Sequence, residues 1–147
     1  MKNSTRITLI ALTLAGVIAS LLFSLRHDRE LDEWIRSEDS KASWAAAQKM
    51  NRERFDNRLQ VVPTFGDSMQ PALGRGEWVV VDYDYPFDDL KIGDVVIVEP
   101  KLSGIFIHRI VSRSPNLLVT KGDNNDKPDE HRATRNTYQG RAYLVDR

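Results

Sequence analysis

Three short segments hold residue types that together could carry out acyl transfer. The first is Gly66-Asp67-Ser68-Met69-Gln70-Pro71. A serine serves as nucleophile only with an exposed hydroxyl, a base within reach and backbone N–H groups to hold the oxyanion. Glycine and proline around Ser68 favour the shaped, non-repetitive backbone that such a site needs. An ordinary turn serine fits the same six residues. The second segment is the strand-like run Phe106-Ile107-His108-Arg109-Ile110-Val111. Alternation puts Phe106, His108 and Ile110 on one side and Ile107, Arg109 and Val111 on the other. A neutral imidazole can take a proton from a hydroxyl near neutral pH. A partly buried structural histidine is the plainer reading. The third is the acidic turn Lys121-Gly122-Asp123-Asn124-Asn125-Asp126-Lys127-Pro128-Asp129. A buried carboxylate there could orient an imidazole and stabilise the imidazolium; a solvated hairpin loop is the alternative. The turn lacks the glycine at the sixth position and the glutamate at the twelfth that a calcium loop requires.

Other chemistries are excluded by composition. The 147 residues include no cysteine, so disulfides, Cys-ligated metals and a thiol nucleophile are ruled out. His27, His108 and His131 are scattered without metal-ligand spacing. Charge is balanced at 21 Lys+Arg against 21 Asp+Glu, so no basic surface points to nucleic acid.

The elements that must position these residues fall into three zones. Ile7 to Leu25 is an apolar run without charge, flanked by Lys2 and Arg6 before it and Arg26 and Arg29 after it. At about 1.5 Å per residue it covers most of a ~30 Å hydrocarbon core. Residues 1–25 are therefore expected to form an uncleaved membrane anchor, with a cleavable secretory signal as the competing reading. Basic residues on both flanks leave orientation open. Residues 26–60 are highly charged, contain no proline or glycine and favour helix, with an interruption at Ser37–Ser40. They form either a solvated spacer helix or a helix that lies on the membrane or packs on the following domain through Trp34, Trp44 and Met50. From Val61 onward, short β-branched runs alternate with turn clusters. Strands are expected at 78–82, 94–99, 105–111, 117–120 and 140–145. Residues 61–147 thus read as a mainly β domain, a small antiparallel β barrel or folded sheet.

Taken in order, Gly-Asp-Ser-Met-Gln-Pro at 66–71, Ile-Gly-Asp-Val-Val-Ile-Val at 92–98, His-Arg-Ile-Val at 108–111 and Lys-Gly-Asp-Asn-Asn at 121–125 resemble the signal peptidase I family and its relatives. Common bacterial members and self-cleaving repressors of the superfamily place a lysine where this chain has His108. The sequence therefore resembles the branch of endoplasmic-reticulum, archaeal and sporulation-type signal peptidases, which pairs serine with histidine. That resemblance implies Ser68 as nucleophile and His108 as general base. Asp129 stands where the branch carries its third residue; Asp123 is the alternative or supporting carboxylate. Gly66, Met69 and Pro71 would shape the oxyanion and substrate side. Many bacterial relatives carry a serine at the position of Gly66 that helps bind the oxyanion, so here the task would rest on backbone N–H groups. No cofactor is implied. The implied substrates are precursor polypeptides with small side chains before the cut, met at a membrane by a single-pass protein with its catalytic domain outside the cytoplasm. Membrane-protein complex partners fit the same branch. A specialised processing peptidase for pilus, conjugation or phage proteins, a self-cleaving regulator of the related repressor class, and a catalytically silent membrane interaction module of the same fold are the alternatives.

Overall fold

The computed structural model describes residues 32–101 and 104–145. The expected anchor at 1–25 and the start of the charged zone lie outside the described residues. Among the described residues, no helix is long and apolar enough to cross a membrane. The chain divides into two compact units, Met1–Arg36 and Ser37–Arg147. In the first, residues 32–35 are helical. The second carries all the elements described below.

Helix α1 spans Glu38–Phe55. Ser37 caps it by accepting the Ser40 N–H at 3.1 Å. Glu38 and Asp39 occupy its first turn and Arg52 and Arg54 its last, matching the helix dipole. Asp56 ends it in the left-handed region at φ 51°. Ser40, Ala47, Met50 and Asn51 form the buried face. Ala47 and Met50 pack on Val80, with Trp78 and Tyr143 at the margin. Polar contacts fix the docking: the Trp78 backbone N–H donates to Ser43 Oγ at 2.9 Å, and its indole N–H donates to Ser40 Oγ at 3.0 Å. Of the contacts expected for this zone, Met50 packs on the sheet, whereas Trp44 is exposed. Asn51 then grips the exit by bonding both backbone groups of Leu59 at 2.8 and 3.3 Å.

Six strands follow: β1 (Gln60–Pro63), β2 (Trp78–Asp82), β3 (Val95–Val98), β4 (Phe106–Ser114), β5 (Leu117–Lys121) and β6 (Tyr138–Tyr143). They form one antiparallel sheet in the order β1-β2-β6-β3-β4-β5. The last strand is therefore central. β2 and β3 are apolar on both faces because both faces are covered. Val79, Val81, Val95 and Ile97 join Met69 and Leu73 in one cluster. Val96 and Val98 join Phe87, Leu90, Ile110 and Leu118 in a second. Each fully buried aliphatic side chain contributes about 1.5–3 kcal/mol.

The sheet does not close, so the folded-sheet form is present and the barrel form is not. Its edges are β1 and β5. β1 is four residues long and ends at Pro63, which has no N–H to extend a ladder. The outer side of β5 is engaged by the bridge between Leu118 and Ala133.

Candidate active site

Ser68 lies on the loop between β1 and β2. The base of this loop is tied at Thr64, whose N–H donates to the Glu77 carbonyl at 2.8 Å while its own carbonyl accepts from Gly76 at 2.9 Å. Gly66 takes φ 95°, a region that a side chain rarely adopts. Met69 and Leu73 then drop into the first core cluster and pin the loop to the sheet. The Asp67 side chain accepts from the Gln70 amide at 3.0 Å and from Arg75 at 3.3 Å. Ser68 is left half-buried at the loop surface.

His108 stands on β4 opposite Val96 of β3. It is buried, and its ring lies 4.8 Å from that of Phe106. Its Nε2 is 3.0 Å from Ser68 Oγ. Its Nδ1 is 2.7 Å from Asp129 Oδ2. An ionised carboxylate only accepts, so Nδ1 carries the hydrogen and Nε2 is left as acceptor towards the serine hydroxyl. Ser68, His108 and Asp129, distant in sequence, thus form one chain of hydrogen bonds. Such an arrangement can activate a hydroxyl as a nucleophile and stabilise the imidazolium that results.

Asp123 is not at the imidazole. It binds Arg109 through two bonds of 2.9 and 2.7 Å, and Arg109 also donates to the Gly93 carbonyl at 2.9 Å. Donation to the Asp123 carboxylate raises the Arg109 pKa above its already high value. His108 and Arg109, adjacent on a strand, therefore point to opposite sides and hold different carboxylates.

The acidic turn reaches the serine loop through the backbone and side chain of Asn124. Asn124 N–H donates to the Ser68 carbonyl at 2.7 Å, and the Asn124 amide donates to the Asp67 carbonyl at 3.1 Å. Gly122 makes the approach possible: a Cβ there would sit 2.6 Å from the Ser68 carbonyl oxygen. Neither contact is evident from sequence, although the glycine before a run of Asp and Asn marks a tight turn.

Beside Ser68 opens a cleft of about 240 Å³, lined by Gly66, Met69, Leu73, Ile105, Phe106 and Ile107 among others. Phe65 and Ile105 are exposed at its mouth. Of the residues expected to shape this side, Gly66 and Met69 line the cleft, while Pro71 is exposed beyond it. His131 is exposed, and His27 lies outside the described residues.

No protein-family model matches the chain, and no solved structure matches it. Among curated proteins, the signal peptidase complex catalytic subunit SEC11 of Colletotrichum graminicola is 31% identical over 80 residues, covering 51% of this chain and 46% of that protein. The subunit of the same name from Metarhizium robertsii is 30% identical over 79 residues, covering 50% and 46%. The chain spans about half the length of these relatives. By sequence, about half of this chain resembles the catalytic subunits of endoplasmic-reticulum-type signal peptidases.

Proposed function

We propose that this chain is a serine endopeptidase that cleaves signal-peptide-like precursors at a membrane. The observation that carries the reading is the contact of 3.0 Å between His108 Nε2 and Ser68 Oγ, backed by Asp129 at 2.7 Å from Nδ1. In the proposed reaction His108 takes the Ser68 proton as Oγ attacks the scissile carbonyl. The imidazolium, steadied by Asp129, then protonates the departing amine. Water, activated by the same imidazole, hydrolyses the acyl-enzyme and restores the serine. With Gly66 two residues before the nucleophile, oxyanion stabilisation rests on backbone N–H groups of the Ser68 loop.

The cleft beside Ser68 supports the substrate assignment. Its apolar lining between Leu73 and Ile107 suits a small aliphatic side chain such as alanine next to the scissile bond. The apolar run at 7–25 would anchor the protein and place enzyme and precursor in one plane, raising their effective concentration. The related subunits are named as parts of a signal peptidase complex, so assembly with membrane-protein partners belongs to the same proposal.

The test is cleavage of a membrane-embedded precursor carrying an Ala-x-Ala site by the wild type, Ser68→Ala and His108→Ala in parallel. Cleavage by the wild type alone supports the reading. Cleavage that survives Ser68→Ala overturns it.

A further inference from the structure

Asp129 is held by more than the imidazole. Thr120, on β5 and fully buried, donates its hydroxyl to Asp129 Oδ2 at 2.6 Å. This is the same oxygen that faces His108 Nδ1. The Thr120 carbonyl also accepts the Asp129 N–H at 2.8 Å. Thr120 therefore grips Asp129 by backbone and side chain together, and this double contact closes the base of the turn that runs from Gly122 to Pro128. The tip of the same turn is tied to the serine loop through Asn124.

A carboxylate on a turn can rotate about its side-chain bonds, and each lost orientation removes the imidazole's partner. A hydroxyl on a sheet strand has no such freedom once it is buried. From this geometry we infer that Thr120 is a positioning residue: its hydroxyl fixes Asp129 Oδ2 on His108 Nδ1, and so keeps the Nδ1–H tautomer with Nε2 open to Ser68. The inference rests on the peptidase reading for its catalytic consequence, but its structural content is independent of any substrate. Thr120 touches neither substrate nor the reacting hydroxyl, so its effect passes through Asp129 and His108. The chemistry also sets its limits. Serine retains the donor, and valine retains the shape but has no donor.

The test uses the full chain in detergent micelles, comparing the wild type, Thr120→Val and Thr120→Ser. One readout is the proton NMR resonance of the His108 Nδ1–H, which a short bond to a carboxylate deshields. The other is turnover of an Ala-x-Ala peptide, resolved into kcat and KM. The wild type and Thr120→Ser should share the deshielded resonance. Thr120→Val should lose it or move it upfield. Its kcat should fall about tenfold or more, as for a reacting group that has slipped from register, while KM stays within about twofold. If Thr120→Val fails to fold, Thr120→Cys, which keeps a similar shape and only a weak S–H donor, is compared with Thr120→Ser in the same two readouts. A Thr120→Val protein with the resonance and kcat of the wild type overturns the inference. So does a Thr120→Ser protein as impaired as Thr120→Val, which would mark a packing role. Ser68→Ala separates the two claims: it should keep the resonance and lose turnover. Turnover that survives in it would defeat the peptidase reading, while the resonance would still decide the role of Thr120.

Discussion

The backbone N–H of Asn124 donates to the carbonyl of Ser68 at 2.7 Å, so the acidic turn and the serine loop are tied directly to each other where they meet. The same turn carries Asp129 at its far end, and His108 sits between them on β4. Placement of the serine hydroxyl therefore depends on residues that never touch it.

Gly122→Ala should test that dependence. Its new Cβ would sit 2.6 Å from the Ser68 carbonyl oxygen, closer than Cβ contacts ordinarily come, so the serine loop and the turn must move apart. A displacement near 1 Å reduces turnover by about 100-fold. Asn124→Ala removes only the side-chain bond to the exposed Asp67 carbonyl, and should cost about 0.5–1.5 kcal/mol with a small loss of activity. Peptide cleavage and thermal melting measured on both variants check the contrast.

The two acidic candidates should separate in the same assays. Asp129→Asn disturbs the tautomer of His108 and should lower kcat by about 10⁴-fold with little change in stability. Asp123→Asn weakens a bidentate, partly solvated pair with Arg109 and should cost about 1–2 kcal/mol, less at high salt, with a modest effect on kcat. Equal kinetic losses in the two variants would contradict the division of roles.

Alkaline stability should reveal Tyr138. Burial first, and the nearby Asp82 second, push its phenol pKa well above the ordinary value of 10.0. A folded-state value above the unfolded one stabilises the protein fully below about pH 10 and loses that contribution as pH rises through the folded value. Denaturant unfolding should therefore show stability falling above about pH 10. Tyr138→Phe should flatten that fall, while losing the hydrogen bond to the Tyr85 carbonyl at neutral pH.

Docking of α1 should be measurable through its serines. Ser43→Ala leaves the Trp78 N–H without its side-chain acceptor, and Ser40→Ala does the same for the indole. Each should cost about 1–3 kcal/mol as an unsatisfied, partly buried donor. Thermal melts of the single and double variants read this directly. Unchanged melting would mean that these two hydrogen bonds contribute no stability to the docking of α1.

Much of this fold was legible because its strands are compact runs of β-branched residues between turn residues. The run Trp78–Asp82 coincides with β2, and Val95–Val98 lies inside its expected span. β1 has no clear sequence signature because it is four residues long and ends in proline, and the local pattern reads as a lead-in to the Ser68 turn. β4 runs on to Ser114 because a register shift near Ile110–Ser112 lets polar residues continue the ladder past the apolar run. Alternation put Phe106, His108 and Ile110 on one side. No local pattern can say which distant residue meets that side, since Ser68, Asp129 and Thr120 arrive from three different segments. Spacing alone left Asp123 and Asp129 both open, because separate strand faces, not sequence distance, divide them between Arg109 and His108. Thr120 reads only as the end of a strand-like run; its hydroxyl gains meaning once Asp129 folds back over it.

The central claim is that Ser68 is a nucleophile activated by His108. The most direct test is labelling of the full chain with a fluorophosphonate probe, which forms a covalent bond to an activated serine, followed by mapping of the modified residue by mass spectrometry. The account predicts a single adduct on Ser68 in the wild type, none in Ser68→Ala, and labelling slowed by orders of magnitude in His108→Ala. Labelling of another residue, or a rate on Ser68 unaffected by loss of the imidazole, would contradict it.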